Sequence, residues 1–405
     1  MKAKRTQRPG QEERRKVDWR WYALALQWAF TSFFAFADDS ENNQDIAGIL
    51  HTGTKAIPIK VEAPVYPPKA LRRGIEGWVV IRLAVTADGT TDDIEVVATS
   101  IENYFDDAAV AAAKARIYQP ATLQGKPVMQ RNVLVRSIFQ LKDSKGGVSK
   151  PFLISYKKVK NAIKTGDLDL AKNLIDKLDA SQSRLLAEVC YLDMLKSIYY
   201  EKKGNNKATL RYLERALVIA GNVASKDIYI GLLRRSIVIN AKANNYQTSL
   251  KRYNTLLETD EGITKDDPIH NYVKNIRKIL NGEAAIQTMG KISLPCKTCE
   301  AQAGFWRHVL NRNRFLIDEV AGELHEVEIV CQNSSVSVAH SPETAWSVNK
   351  DGGECIIRVF GEEKTTFRLV ELANESQDKG LLKPQHCRER QFRINSFGGE
   401  VHADR

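Results

Sequence analysis

Trp78–Thr86 reads WVVIRLAVT and Asp93–Ser100 reads DIEVVATS, with Ala87-Asp88-Gly89 between them. Both runs are rich in β-branched residues, the first with partial alternation, and an Asp-Gly pair between such runs marks a hairpin turn. Downstream, Phe105–Ile117 carries Phe105, Ala109, Ala112, Ala113 and Arg116 at three- and four-residue spacing, which predicts a helix that Pro120 ends. Asn132–Leu141 (NVLVRSIFQL) then alternates Val133, Val135, Ser137, Phe139 and Leu141 against Leu134, Arg136 and Ile138. That is a third strand, so residues 58–142 read as a compact α+β unit of antiparallel strands and one helix.

On the N-terminal side, residues 38–57 are polar and mixed and read as a linker. Residues 1–37 hold eight Lys/Arg against three acidic residues, followed by the uncharged run Trp21–Ala37 (WYALALQWAFTSFFAFA). A basic region, an apolar run and Ala35-Phe36-Ala37 make the layout of a secretory signal cut between Ala37 and Asp38. The alternative is an uncleaved membrane anchor, although the run is short for a span and contains Gln27. Either way the remainder is exported, which places it in the periplasm or on the periplasmic side of a single-pass inner-membrane segment.

On the C-terminal side, Lys142–Lys150 is a polar, Gly-containing boundary. Residues 151–282 show long Leu/Ile/Tyr helical periodicity. Gly166-Asp167 precedes Ala171, Leu174 and Leu178; Gly204-Asn205 precedes Thr209, Tyr212, Ala216 and Leu217; Asn244-Asn245-Tyr246 precedes Ser249, Tyr253, Leu256 and Leu257. The offsets agree at the fifth and twelfth places and to within one residue between them, which resembles a tetratricopeptide-like repeat, and an unrelated helical bundle is the alternative. Residues 290–375 contain short alternating runs (Phe315–Ile317, Leu324–Cys331, Ser335–Ala339, Cys355–Phe360, Thr366–Glu371) and read as a small antiparallel β domain, with helix or loop at Ala303–Asn311. Residues 376–405 read as a loose tail. The expected fold is therefore multidomain α+β: a two-layer αβ module, an all-α repeat region and a small antiparallel β domain.

The composition suits this division. The 405 residues are 43% hydrophobic and 27% charged, with 24 Gly and 12 Pro, which excludes wholesale disorder and a multi-span membrane protein. The net charge of +11 is concentrated at the N-terminus and in residues 150–282, where 24 basic residues face 14 acidic ones. These charges are interleaved rather than stacked, and with no nucleic-acid module present no nucleic-acid partner is expected.

The order of motifs in residues 58–141 resembles the TonB C-terminal domain. Pro64-Val65-Tyr66-Pro67-Pro68-Lys69-Ala70 resembles its P-x-Y-P-x-x-A opening, and Gly74-Ile75-Glu76-Gly77 its G-x-E-G step. Val85–Gly89 resembles its hairpin, Phe105–Ala109 its helix start, Tyr118-Gln119-Pro120-Ala121 its Y-x-P-A exit, and Gly125-Lys126-Pro127-Val128 the lead into its last strand. Tyr66, Pro67, Gly74, Gly77, Asp88, Gly89 and Pro120 have backbone reasons for their identities and read as scaffold. The resemblance implies a protein–protein interaction protein of the envelope, linked to TonB-dependent outer-membrane transport. Its partners would be envelope proteins, including outer-membrane receptors. Binding would be by strand addition at the edge strand formed by Val133, Leu134, Val135, Arg136, Ser137, Ile138 and Phe139. The alternative is an anchored energy transducer that also contacts inner-membrane motor proteins. Against it, Trp21–Ala37 contains no His, and residues 38–57 form a short spacer without Pro.

Other chemistry is sparse. No nucleophile elbow, Walker loop, dinucleotide glycine pattern or Ser-His-Asp order occurs, so no enzyme, cofactor or catalytic residue is expected. Cys296-Lys297-Thr298-Cys299 lacks a second C-x-x-C or a thioredoxin-like setting. In an oxidising compartment structural disulfides are the leading reading, with Cys331–Cys355 preferred, Cys296–Cys299 second, and a metal site less favoured. Cys190 lies on an apolar helix face.

Overall fold

A computed structural model describes residues 53–123, 125–142, 147–180, 184–293, 304–332, 334–341, 344–348, 354–373 and 389–390. The export segment with Ala37 and Asp38, the linker up to residue 52, Cys296 and Cys299, and nearly all of the tail lie outside them.

The chain enters through β1 (Gly53–Thr54) and β2 (Ile57–Lys60), followed by α1 (Pro68–Arg72), β3 (Gly77–Val85), β4 (Thr91–Thr99) and α2 (Asp106–Lys114). Then come β5 (Ile117–Gln119), β6 (Ala121–Leu123), β7 (Lys126–Val128) and β8 (Gln130–Phe139). Residues 53–57, read above as linker, are thus largely strand. β1 pairs with β6 about seventy residues on and β2 with β5 about sixty residues on, so no local pattern marks them. α2 ends at Lys114, ahead of Pro120, because Ile117–Gln119 is drawn into pairing with β2. The expectation that Pro120 stops the helix is corrected accordingly.

The central sheet is antiparallel in the order β4–β3–β8. One face packs Val79, Ile81, Leu83, Val135 and Phe139 against Phe105, Ala109 and Ala113 of the α2 segment. Gly77 is required there, since a Cβ would lie 2.3 Å from Ser100 Oγ and 2.6 Å from the Phe105 ring. The other face is buried as well: Trp78, with Val80, Ala98 and Ile138, joins a cluster containing Leu213, Leu217 and Leu233. Coverage on both sides explains why WVVIRLAV is almost continuously apolar instead of alternating.

Seven helices follow: α3 (Lys150–Thr165), α4 (Leu168–Asp179), α5 (Leu186–Lys202), α6 (Asn206–Val223), α7 (Lys226–Lys242), α8 (Tyr246–Thr259) and α9 (Pro268–Asn281). The turns α3–α4, α5–α6 and α7–α8 use one device. Gly166, Gly204 and Asn244 have φ of 82°, 71° and 58°, the left-handed region that ends a helix. Asp167 and Asn205 then cap the next helix by accepting the Leu170 and Ala208 N–H groups, each at 3.0 Å. Ala171, Thr209 and Ser249 are fully buried where the paired helices close. Ala216 is also wholly buried, so Ala216→Arg is expected to place an unpaired charge in the core. The expected loss is about 3 kcal/mol or more of stability in denaturant unfolding, and a midpoint matching wild type would refute this packing.

The remaining strands are β9 (Ile286–Lys291), β10 (Phe305–Val309), β11 (Arg314–Ala321), β12 (Leu324–Val330), β13 (Ser335–Ala339), β14 (Ala345–Ser347), β15 (Ile356–Gly361), β16 (Thr366–Leu372) and β17 (Glu389–Arg390). They form two sheets, β10–β15–β12–β13 and β17–β14–β11–β16–β9, enclosing Phe315, Val327, Trp346, Ile357 and Phe367. Pairings are antiparallel except between β14 and β17. Two expectations change. Ala303–Asn311, read as helix or loop, contains strand β10, whose partner β15 lies some fifty residues on. The β region begins at Ile286, ahead of the expected boundary at 290, because β9 pairs with β16.

Candidate partner-binding edge

β8 is an end strand of the central sheet, and its outer side pairs with no strand among the described residues. Its inward side chains are Val135, Ser137 and Phe139, all buried; Leu134 and Arg136 on the opposite face are exposed. The direction of its backbone groups follows from the ladder. The Trp78 carbonyl accepts the Ser100 N–H at 2.9 Å, so Trp78 is turned toward the β4 side. In an antiparallel ladder the next residue, Val79, turns to the other side, toward its register partner Ser137. Ser137 and Val135 therefore spend their amides on β3, whereas Leu134, Arg136 and Ile138 direct theirs outward.

The edge is bounded at one end. The Arg131 N–H donates to the Gln332 carbonyl at 2.7 Å and Asn132 Nδ2 to the Val330 carbonyl at 3.1 Å. Asn132 has φ of 60°, and the β3–β8 register shifts beside it. The contacting segment carries the Cys331–Cys355 disulfide, so the turn that closes this end is itself covalently tied. Beside the open stretch, the Arg136 guanidinium donates to the Val218 carbonyl of α6.

The motif residues shape this edge from behind. The Tyr66 hydroxyl donates to the Ile75 carbonyl at 2.6 Å, and its ring meets Phe105 and Phe139 edge-on at 6.0 and 5.8 Å. Burial, reinforced by the Glu76 charge, pushes the Tyr66 phenol up to about 12. Pro67 precedes α1 with extended backbone, and Gly74 has φ of 61°. Asp88 accepts from Thr86 and Thr90, which holds its carboxyl below the usual range. Gly89 has φ of 86°, and a Cβ there would collide with the Tyr118 carbonyl. Pro120 links β5 to β6.

Glu76 entered the sequence reading only as the acid of the G-x-E-G step, with no role of its own. It is buried, and its carboxylate accepts the Leu141 N–H at 3.0 Å and the Leu186 N–H at 2.7 Å. One side chain thus holds the exit of β8 and the start of α5. Glu76→Ala leaves one buried and one part-buried amide unpaired, and a loss of about 2–4 kcal/mol in denaturant unfolding is expected. A change below about 1 kcal/mol would contradict this role.

Arg215 on α6 donates to the Thr99 and Ser100 carbonyls and to Asp193, and lies 5.4 Å over the Trp78 ring. Toward the C-terminal sheets, Arg82 meets Glu95 at 3.0 Å, Arg307 also binds Glu95, and Arg358 bridges Asp93 at 2.8 Å and Glu328 at 3.2 Å. Burial and the neighbouring Arg82 bring Arg307 down to about 10. Arg82 inside WVVIRLAVT and Glu95 inside DIEVVATS were the visible signal: charges set in otherwise apolar strands. Cys190 is buried, which pushes its thiol up to about 12. Among the described residues no helix is long and apolar enough to cross a membrane, and no His/Cys/Asp/Glu group is placed to hold a metal.

Comparison with known proteins finds residues 62–141 matching the family described as Gram-negative bacterial TonB protein C-terminal. The chain is similar to Protein TonB of Pseudomonas aeruginosa, 39% identical over 75 residues, which cover 18% of this chain and 22% of that protein. It is also similar to Protein tonB2 of the same organism, 44% identical over 75 residues, 18% of this chain and 24% of that protein. The chain therefore spans about a fifth to a quarter of the length of the curated relatives it matches. A solution NMR structure of the Pseudomonas aeruginosa TonB CTD is 31% identical and covers 22% of this chain and 91% of that one, with a TM-score of 0.21.

Proposed function

Residues 62–141 are a TonB C-terminal domain, and from that premise we propose that the protein is a non-enzymatic binding protein of the Gram-negative envelope that serves TonB-dependent outer-membrane transport. It captures extended segments of envelope partners, outer-membrane receptors among them, by strand addition along Leu134–Ile138. The observation that carries this reading is the set of outward amides at Leu134, Arg136 and Ile138 on a strand whose outer side pairs with no other strand among the described residues. Such an edge offers main-chain bonds to a guest, with side-chain contacts adding selectivity. Helices α3–α9 serve as a tetratricopeptide-like scaffold and the C-terminal sheets as a small β domain, both laid against the module so that the edge is held in place. The Cys331–Cys355 bond suits an oxidising, periplasmic setting.

The test is capture of synthetic peptides from the periplasm-facing segments of outer-membrane receptors by the full chain. Saturable binding that depends on the β8 backbone supports the reading; no binding to any such segment removes it. N-terminal sequencing of the mature protein separates a form starting at Asp38, which fits a free periplasmic protein, from one retaining Met1, which fits an anchored transducer in contact with inner-membrane motor proteins.

A further inference from the structure

Where α6 lies against the sheet, a cleft of about 570 Å³ remains beside β4. That is the size of a small-molecule or short-peptide site. Its floor is apolar, with Val80 and Ala98 from the sheet and Val218 from α6. Asp106 and Arg211 in its wall are not fully engaged. Asp106 is only 4% exposed; its Oδ2 accepts the Asn103 N–H at 2.9 Å, while Oδ1 is buried without a hydrogen-bond partner among the described residues. Arg211 is exposed, and its closest carboxylate, the exposed Glu102, stands 3.9 Å away. The other two arginines of the wall are held by protein partners, Arg215 by Asp193 and the Thr99 and Ser100 carbonyls, and Arg252 by Glu214 through one Nη, although its buried Nε has no hydrogen-bond partner among the described residues.

A buried carboxylate oxygen seeks an N–H donor, and an accessible guanidinium seeks a carboxylate, which it grips with two parallel bonds. An apolar floor between them suits an aliphatic side chain. Val97 is the extra residue where the β3–β4 register shifts, and such a bulge discourages a continued ladder along the β4 edge. A long guest strand is therefore not what this cleft accommodates. We propose that the cleft is a second binding site, separate from the β8 edge, for a short aliphatic peptide with a free carboxyl terminus. Its amide N–H donates to Asp106 Oδ1, its side chain covers Val80, Ala98 and Val218, and its carboxylate pairs with Arg211.

The probe is the tetrapeptide Ala-Val-Ala-Leu, labelled with fluorescein at its amino end and titrated against the full chain by fluorescence anisotropy. Saturable binding is expected, with an about tenfold loss for the carboxamide form of the peptide and for Arg211→Glu, the weight of one charge-assisted pair. Asp106→Asn, which turns one of two acceptors into a donor, is expected to weaken binding as well. Circular dichroism of each variant controls for folding, and the exposure of Arg211 makes its replacement structurally mild. No saturable binding below about 5 mM, weaker than any useful affinity, overturns the proposal. So does binding that either variant or the carboxamide leaves unchanged.

Discussion

Arg136→Pro is expected to abolish capture of receptor segments while the protein stays folded, and Val135→Pro to unfold the module. The two positions are adjacent, yet their amides point opposite ways. Val135 directs its N–H to β3 opposite Ile81, in the middle of the buried ladder. Proline there removes a sheet bond beside a packed core and is expected to cost about 3 kcal/mol or more. Arg136 directs its N–H outward, where proline is tolerated as it is on other edge strands. A guest strand at that position then loses a donor and meets the pyrrolidine ring, so affinity should fall at least about tenfold. Arg136→Ala is the control, because it removes the contact to the Val218 carbonyl and keeps the amide. Binding near the wild-type level is expected for Arg136→Ala. If Arg136→Pro folds and binds as wild type does, recognition does not use this edge.

Glu371→Ala is expected to be among the most destabilising single changes in the C-terminal half, by about 3–5 kcal/mol in denaturant unfolding. Glu371 is wholly buried; its Oε1 lies 3.1 Å from His308 Nε2 and accepts from Asn311 Nδ2 at 2.7 Å, while Oε2 accepts the Arg312 N–H at 2.7 Å. Two of the three residues it holds, Asn311 and Arg312, cap helix ends. Asn311 Oδ1 accepts the Tyr246 and Gln247 N–H groups at 2.9 and 3.3 Å, supplying α8 with the cap that Asn245 does not provide. Arg312 donates to the Ile279, Leu280 and Gly282 carbonyls at 2.6, 3.1 and 2.8 Å, closing the end of α9. An acceptor at a helix start and a cation at a helix end both oppose the local dipole favourably. Removing Glu371 leaves those groups buried without their anchor. Glu371→Gln keeps the shape and one acceptor, so a smaller loss is expected. If Glu371→Ala unfolds within about 1 kcal/mol of wild type, the network does not bind the sheets to the helices.

Much of this was legible wherever the signal is local. The Asp88-Gly89 hairpin, the three long strands of the module and the α2 helix each announce themselves within about ten residues. So do the left-handed turns at Gly166, Gly204 and Asn244, with Asp167 and Asn205 capping the helices that follow. The missed elements are those whose partners lie far along the chain. β1 and β2 are two and four residues long and exist through pairing with β6 and β5. β10 has too few residues to show a period and is defined by β15.

The sequence alone determined the identity of the αβ module, because six ordered motifs record backbone demands: positive φ at Gly89, no room for a Cβ at Gly77, extended chain before Pro67. It separated the two faces of β8, Val133, Val135, Ser137 and Phe139 against Leu134, Arg136 and Ile138, and burial in the structure showed which of them turns inward. Only the tertiary structure decided which amides face outward, because that depends on the register of β3 against Ser100 and Ser137. Only it revealed that Trp78 is buried among the helices, that Arg215 reaches the Thr99 and Ser100 carbonyls, and that Asn311 caps α8. Each of these joins groups tens to more than a hundred residues apart. Charge and hydrogen-bond complementarity over such separations leave no periodic trace in one chain, and take effect when packing brings the partners within about 3 Å.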